Sequence, residues 1–214
     1  MESAAEYLKR TESASRKLFE GIESYIGVLQ RAVPPVFISS SSNSQQAEAE
    51  FRTWEKRHRE EIAASLQAQK DYFAESFALA TLCGSVLQIA AKGIENYSRN
   101  ETIPDDWAGL IKPGQKAARY CIGRTERSVP LGLIILAGRN QHMHFGDEPL
   151  RDPNVAIFAR LASFGSMGGD ETVHDPAFDL ENKNLVSFAH NITALIGWRS
   201  FGNYQRDFRG LLQQ

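Results

Sequence analysis

An all-α fold, a helical bundle, is what this sequence predicts, and three observations predict it. Apolar residues recur at helical spacings of three, four and seven over most of the 214 residues. From about Gln45 to Asn96 there is no proline, and the only glycines are Gly84 and Gly93. No convincing set of alternating strands appears. With 42% hydrophobic residues the chain can fill a core, and it is read as one helical domain over 1–214.

Tyr7, Leu8, Phe19, Ile22, Ile26 and Leu29 place one apolar face on a helix over 2–31, which Pro34-Pro35 ends. Residues 37–46, with an SSSSNS centre, read as an exposed connection. The stretch 45–96 then permits one very long helix, or two bent near 65–70. Its first half, with Arg52, Lys56, Arg57, Arg59 and Glu60, is a charged face, solvated or turned to a partner. Its second half, from Tyr72 to Ile94, is apolar and expected in the core.

Pro104, Gly109, Pro113 and Gly114 predict a loop over 100–114, packed down by Trp107, followed by a short helix over 115–122. Ser128 is expected to cap a helix with Pro130 in its first turn, where the missing N–H is not needed. That helix runs through LGLIILAGRNQHMHF, although Val129–Ala137 alone also fits a buried strand. Asp152-Pro153 opens another helix, a loose loop follows over 163–176, and two amphipathic helices over 182–198 and 200–212 close the chain. Gly165, Gly168 and Gly169 in that loop make no phosphate loop, since no lysine follows them.

The formal charge of −2 and pI near 6.2 give no global reason to expect tight binding to bulk nucleic acid, but leave a local site open. No secretory signal appears at the start, and no run approaches a membrane span, so a cytoplasmic protein is expected. Cys83 and Cys121 form neither a zinc pattern nor a disulfide framework and are expected to be reduced. His58 and His174 are expected at the surface, and His190 as a satisfied core histidine.

The densest chemistry lies in Arg139-Asn140-Gln141-His142-Met143-His144, set in an apolar segment. An arginine keeps its charge in a protein, whereas a histidine exchanges a proton near neutral pH. On a helix over 130–146 each residue advances about 100 degrees, so Arg139 and His144 stand about 140 degrees apart, with Asn140 between them. Met143 lies in the same sector and would floor a site, while Gln141 and His142 point away. Asn140, one turn before His144, is placed to orient its imidazole. A metal site of His142, His144 and Asp147 is the competing reading, but it requires a strand, because on a helix the two histidines lie about 200 degrees apart. In a purely structural role, Arg139 would pair with Asp147 or Glu148 and His144 would sit at a helix end.

Arg139-Asn140-x-x-x-His144 resembles the signature of the HEPN superfamily: an arginine, a polar residue, three variable residues and a histidine, late in a long helix of an all-helical chain. The resemblance covers about 70–145, leaving an N-terminal helical region 1–69 and C-terminal helices 146–214 as additions to a HEPN-like core. It implies a metal-independent endoribonuclease without cofactor, acting on RNA, of the kind found in toxin–antitoxin, CRISPR-linked and antiphage defence systems. It further implies a homodimer whose two motifs share a cleft, and any antitoxin or defence partner would be a separate protein. In that reading Arg139 binds the scissile phosphate, His144 is general acid or base, and Asn140 positions one of them. Glu75, which interrupts the apolar run YFAESFALA, matches the acidic residue that such proteins often carry on an earlier helix. It also fits a boundary residue paired with a base. The alternative to an enzyme is a non-catalytic module that binds RNA or a nucleotide, or only dimerises.

Overall fold

The computed structural model describes residues 3–31, 33–39, 41, 43–145, 149–165 and 172–213, with 29–31 as backbone only. The side chain of Leu29, and Asp147, Glu148, Gly168 and Gly169, lie outside the described residues. The chain is mostly helical. Its elements in order are α1 (Ala4–Arg31), α2 (Ser44–Arg57), α3 (Arg59–Tyr97), short 3-10 turns at Asp105–Trp107 and Lys116–Tyr120, β1 (Thr125–Glu126), β2 (Val129–Pro130) and α4 (Leu131–Met143). There follow α5 (Asn154–Ala162), β3 (Ser163–Gly165), β4 (Thr172–His174), α6 (Ala189–Leu195) and α7 (Phe201–Leu212). Two compact units form, one from 1–22 with 79–214 and one from 23–78, and both α1 and α3 contribute to each.

The larger unit is built on α4. Nine of its thirteen residues are buried, because LGLIILAG is apolar on every side and such a helix belongs in a core. Its second residue, Gly132, meets the backbone of the preceding turn so closely that a Cβ there would lie 2.4 Å from the Tyr120 carbonyl oxygen. Gly138 of α4 packs against Leu87 of α3 and Ile192 of α6, and Cys83 and Ile94 of α3, Phe158 of α5 and Phe208 of α7 are buried as well. Two tyrosine hydroxyls tie other segments to the α3 backbone. Tyr7 donates to the Ile89 carbonyl at 2.9 Å and Tyr120 to that of Ala91 at 2.8 Å, and burial pushes the Tyr120 phenol upward. Burial likewise pushes the Cys83 thiol up to about 11, which keeps it protonated and unreactive.

The smaller unit carries the turn between the long helices. Asn43 caps α2 by accepting from the Gln45 N–H, and Phe37, Phe51 and Trp54 cluster with ring centroids 5.3 to 5.8 Å apart. Leu66, Phe73 and Phe77 share one face of α3 by the helical period, and all three are well exposed.

Several boundaries differ from expectation. The bend falls at His58, not at 65–70: its N–H still closes on the Trp54 carbonyl, while its Nδ1 turns to Glu61 at 2.9 Å. Ser128 caps no helix. It sits with Arg127 at the turn of the β1–β2 hairpin, both at positive φ (49° and 62°), the primed geometry of a two-residue hairpin loop. Residues 131–143 are helical, so only Val129 and Pro130 of the alternative strand are extended. The loop expected over 163–176 contains the β3–β4 pair. Residues 182–188 are not helical and α6 begins at Ala189. Finally, α3 is by length and composition apolar enough to cross a membrane, contrary to the expectation that no run qualifies, but half of its most apolar window is buried within the protein.

Candidate functional site

α4 stops at Met143, earlier than expected, and His144 leaves it with φ −123° and ψ 18° as the cap. The His144 N–H is shared between the Asn140 and Gln141 carbonyls, at 3.1 and 3.3 Å. Arg139 and Asn140 therefore occupy the last turn, half-buried, while Met143 and His144 are exposed beyond it. The carbonyl end of a helix favours positive charge, which suits an arginine in that turn.

Two neutral oxygens orient the Arg139 guanidinium. Its Nε donates to Gln88 Oε1 of α3 at 2.7 Å and its Nη1 to Asn140 Oδ1 at 2.8 Å. Asn140 in turn donates through Nδ2 to Asn154 Oδ1 at 3.0 Å, and Asn154 donates to the Arg151 carbonyl at 3.1 Å. The Asn140 side chain thus holds Arg139, and its link to His144 runs through the backbone. No carboxylate pairs with Arg139 among the described residues. Of the five N–H groups of a guanidinium, two are used among the described residues. The remaining three keep the capacity to bind an anion.

The intervening residues anchor the helix end. Gln141 is buried, donating to the Val186 carbonyl at 3.0 Å and accepting from the Phe188 N–H at 2.9 Å. His142 lies 2.9 Å from Ser187 through Nδ1, and its ring rests on α3 so closely that a Cβ on Gly84 would clash with it. Burial lowers the His142 pKa. The two histidines thus go to different surroundings, His142 against α3 and His144 beyond the helix end. Asp147, the third ligand of the metal alternative, and with Glu148 the candidate partner for Arg139, lie outside the described residues.

His144 borders a cavity of about 520 Å³ whose walls are largely apolar, among them Phe145, Leu150, Val155 and Leu185, with Glu181 the one carboxylate among the described lining residues. Val155 directly follows Asn154, so the cavity and the arginine network adjoin through α5. Glu75 lies in the smaller unit, exposed, and accepts a hydrogen bond from the Tyr25 hydroxyl at 3.3 Å. Its charge and burial of the phenol raise the Tyr25 pKa, burial being the larger effect. The α3 residue that touches Arg139 is Gln88. The remaining histidines divide by burial: His58 is partly covered, His174 is exposed beside Asp179, and burial, then Arg199, lowers the pKa of His190.

Gln88 and Asn154 were not anticipated from the sequence. Gln88 had a signal, as a lone polar residue in the apolar run VLQIAA; Asn154, in a polar stretch, had none. Comparison of the chain with known protein families, with curated proteins and with solved structures gives no match.

Proposed function

We propose that this chain is a metal-independent endoribonuclease of HEPN type, cutting RNA by attack of a 2′-hydroxyl on the adjacent phosphorus. One observation carries the reading: Arg139 is held at two points by neutral oxygens and pairs with no carboxylate among the described residues. A purely structural, half-buried arginine gains most from an acidic partner, because an uncompensated charge is costly to keep out of water. An arginine prepared for a phosphate does the opposite, with its orientation fixed and its charge unspent.

In the reaction the 2′-oxygen forms a bond to phosphorus while the bond to the 5′-oxygen breaks. A base removes the 2′-hydroxyl proton and an acid supplies one to the leaving oxygen, giving a 2′,3′-cyclic phosphate and a 5′-hydroxyl. Arg139 neutralises the charge that grows on the non-bridging oxygens, and Asn140 and Gln88 position it. His144 serves one proton transfer. In a homodimer the second copy's His144 serves the other.

RNA incubated with the protein in excess chelator tests this. Cleavage that leaves cyclic phosphate ends, and is lost in Arg139→Ala and in His144→Ala, is the expected result. A folded protein that binds RNA without cutting it would instead be the non-catalytic module.

A further inference from the structure

The cavity beside His144 has no role in the chemistry above, yet it adjoins the residues that perform it. We infer that it receives one unpaired base of the RNA next to the cut, and that the base is guanine. This rests on the endoribonuclease reading and adds to it a substrate preference.

Size is the first argument. About 520 Å³ falls within the range of small-molecule sites and exceeds what one base needs. The walls are the second. Phe145, 39% exposed and with its ring 6.1 Å from that of His142, lines the cavity beside the aliphatic Leu150, Val155 and Leu185, and single-stranded nucleic acids bind by laying bases on such faces. Its other groups discriminate. The Gln141 amide is committed on both sides, to Val186 and Phe188, and serves only as wall. Glu181 is exposed, its carboxylate makes no hydrogen bond or ion pair among the described residues, and it lines the cavity.

A carboxylate accepts hydrogen bonds and donates none. Among the four RNA bases only guanine places two donors side by side on its Watson–Crick edge, the N1–H and the N2 amino group, to match two carboxylate oxygens. Adenine and cytosine set an acceptor beside their amino group, and uracil flanks its one N–H with carbonyls, so each points a lone pair at Glu181. The occupant's backbone phosphate then lies toward the motif, where His144 borders the cavity and Arg139 is joined to α5 through Asn140 and Asn154.

The test uses short oligoribonucleotides identical but for one base, each with a 2′-deoxy sugar at the scissile position so that attack is blocked, titrated calorimetrically against the whole protein. The guanine oligonucleotide should bind at least about tenfold more tightly than its adenine counterpart. Glu181→Gln, at an exposed unpaired side chain, should erase that ratio, and Phe145→Ala should weaken every oligonucleotide by about tenfold, in the range of one lost stacking contact. Ribose substrates measured in parallel separate the two claims. RNA cut by the native protein with no guanine preference overturns the base pocket and leaves the nuclease standing. Guanine-selective binding lost in Glu181→Gln without any cleavage supports the pocket and removes the nuclease. Equal affinity for all four bases overturns the pocket whatever the cleavage result.

Discussion

Replacing Gln88 tests whether Arg139 is held for a purpose. Gln88→Leu conserves volume but removes the oxygen that accepts from Arg139 Nε at 2.7 Å. A hydrogen bond to a charged group contributes roughly 1.5–3 kcal/mol. Because Arg139 is only half-buried and water can replace the lost acceptor in part, we take about 1 kcal/mol, or roughly 2–4 °C in melting temperature for a chain of this size. The effect on cleavage should be much larger, about 100-fold in kcat, since a guanidinium free to swing by an ångström no longer meets the developing charge. Gln88→Glu sharpens the distinction. It keeps the acceptor and adds an anion, whose attraction of about 4 kcal/mol at 4 Å and an effective dielectric of 20 is largely spent on desolvating the carboxylate. The protein should therefore melt no lower than the native one, yet its arginine is now neutralised and cleavage should fall to the level of Arg139→Ala. Melting curves and single-turnover cleavage of a labelled RNA measure both quantities. If Gln88→Glu cuts RNA at the native rate, an uncommitted charge on Arg139 is not what the site requires.

Two further outcomes check the fold. Gly132→Ala should destabilise by roughly 1–3 kcal/mol, because its Cβ would sit 2.4 Å from the rigid Tyr120 carbonyl. Gly202→Ala in α7, where nothing lies within 4 Å, should gain up to about 1 kcal/mol of helix propensity; chemical denaturation of the pair gives opposite signs if the close approach is real. His142 and His190 both have pKa values lowered by burial in the folded state, so the unfolded chain binds the extra protons. Their contribution to stability is complete above the ordinary imidazole value of about 6.5 and is lost as pH falls below it toward the folded values. Melting temperature should drop between pH 7.5 and 5, and a double variant with His142→Asn and His190→Gln should flatten that dependence; an unchanged slope refutes the assignment.

Much of the fold was legible because its elements follow from local chemistry. Pro34-Pro35 does follow the first helix, Trp107 is buried in its loop, and α5 and α7 lie where their apolar spacing predicts. The failures are places where polar side chains outbid the helix. Leu185 and Phe188 keep helical spacing, but Asp179 accepts from the Glu181 N–H at 2.9 Å and Asn182 from the Asn184 N–H at 3.1 Å. Such local bonds hold the backbone in turns, so the helix waits until Ala189. The β1–β2 hairpin was hidden for a different reason. Its turn residues, Arg127 and Ser128, are not the glycine or asparagine that announce positive φ, and the conformation is secured from outside. Arg127 stacks 3.9 Å over Phe164 and donates to Asp175 at 2.8 Å, partners about 40 residues further along the chain.

The site divides along the same line. His142 and His144 do go to different surroundings, but His144 lies beyond the end of α4, so helical spacing alone does not set its direction. Spacing could not say what Asn140 holds, because Asn154 had to be brought alongside by α5, and with that partner in place the side chain faces Arg139. Nor did it reach Gln88, which like Glu75 is a polar residue in an apolar stretch of α3. The difference between them is chemical. A glutamate at position 88 would cancel the arginine, whereas a glutamine aims it and leaves its charge available. A neutral side chain at the point of contact is what a phosphate-binding arginine needs, and it is a feature that periodicity and composition pass over.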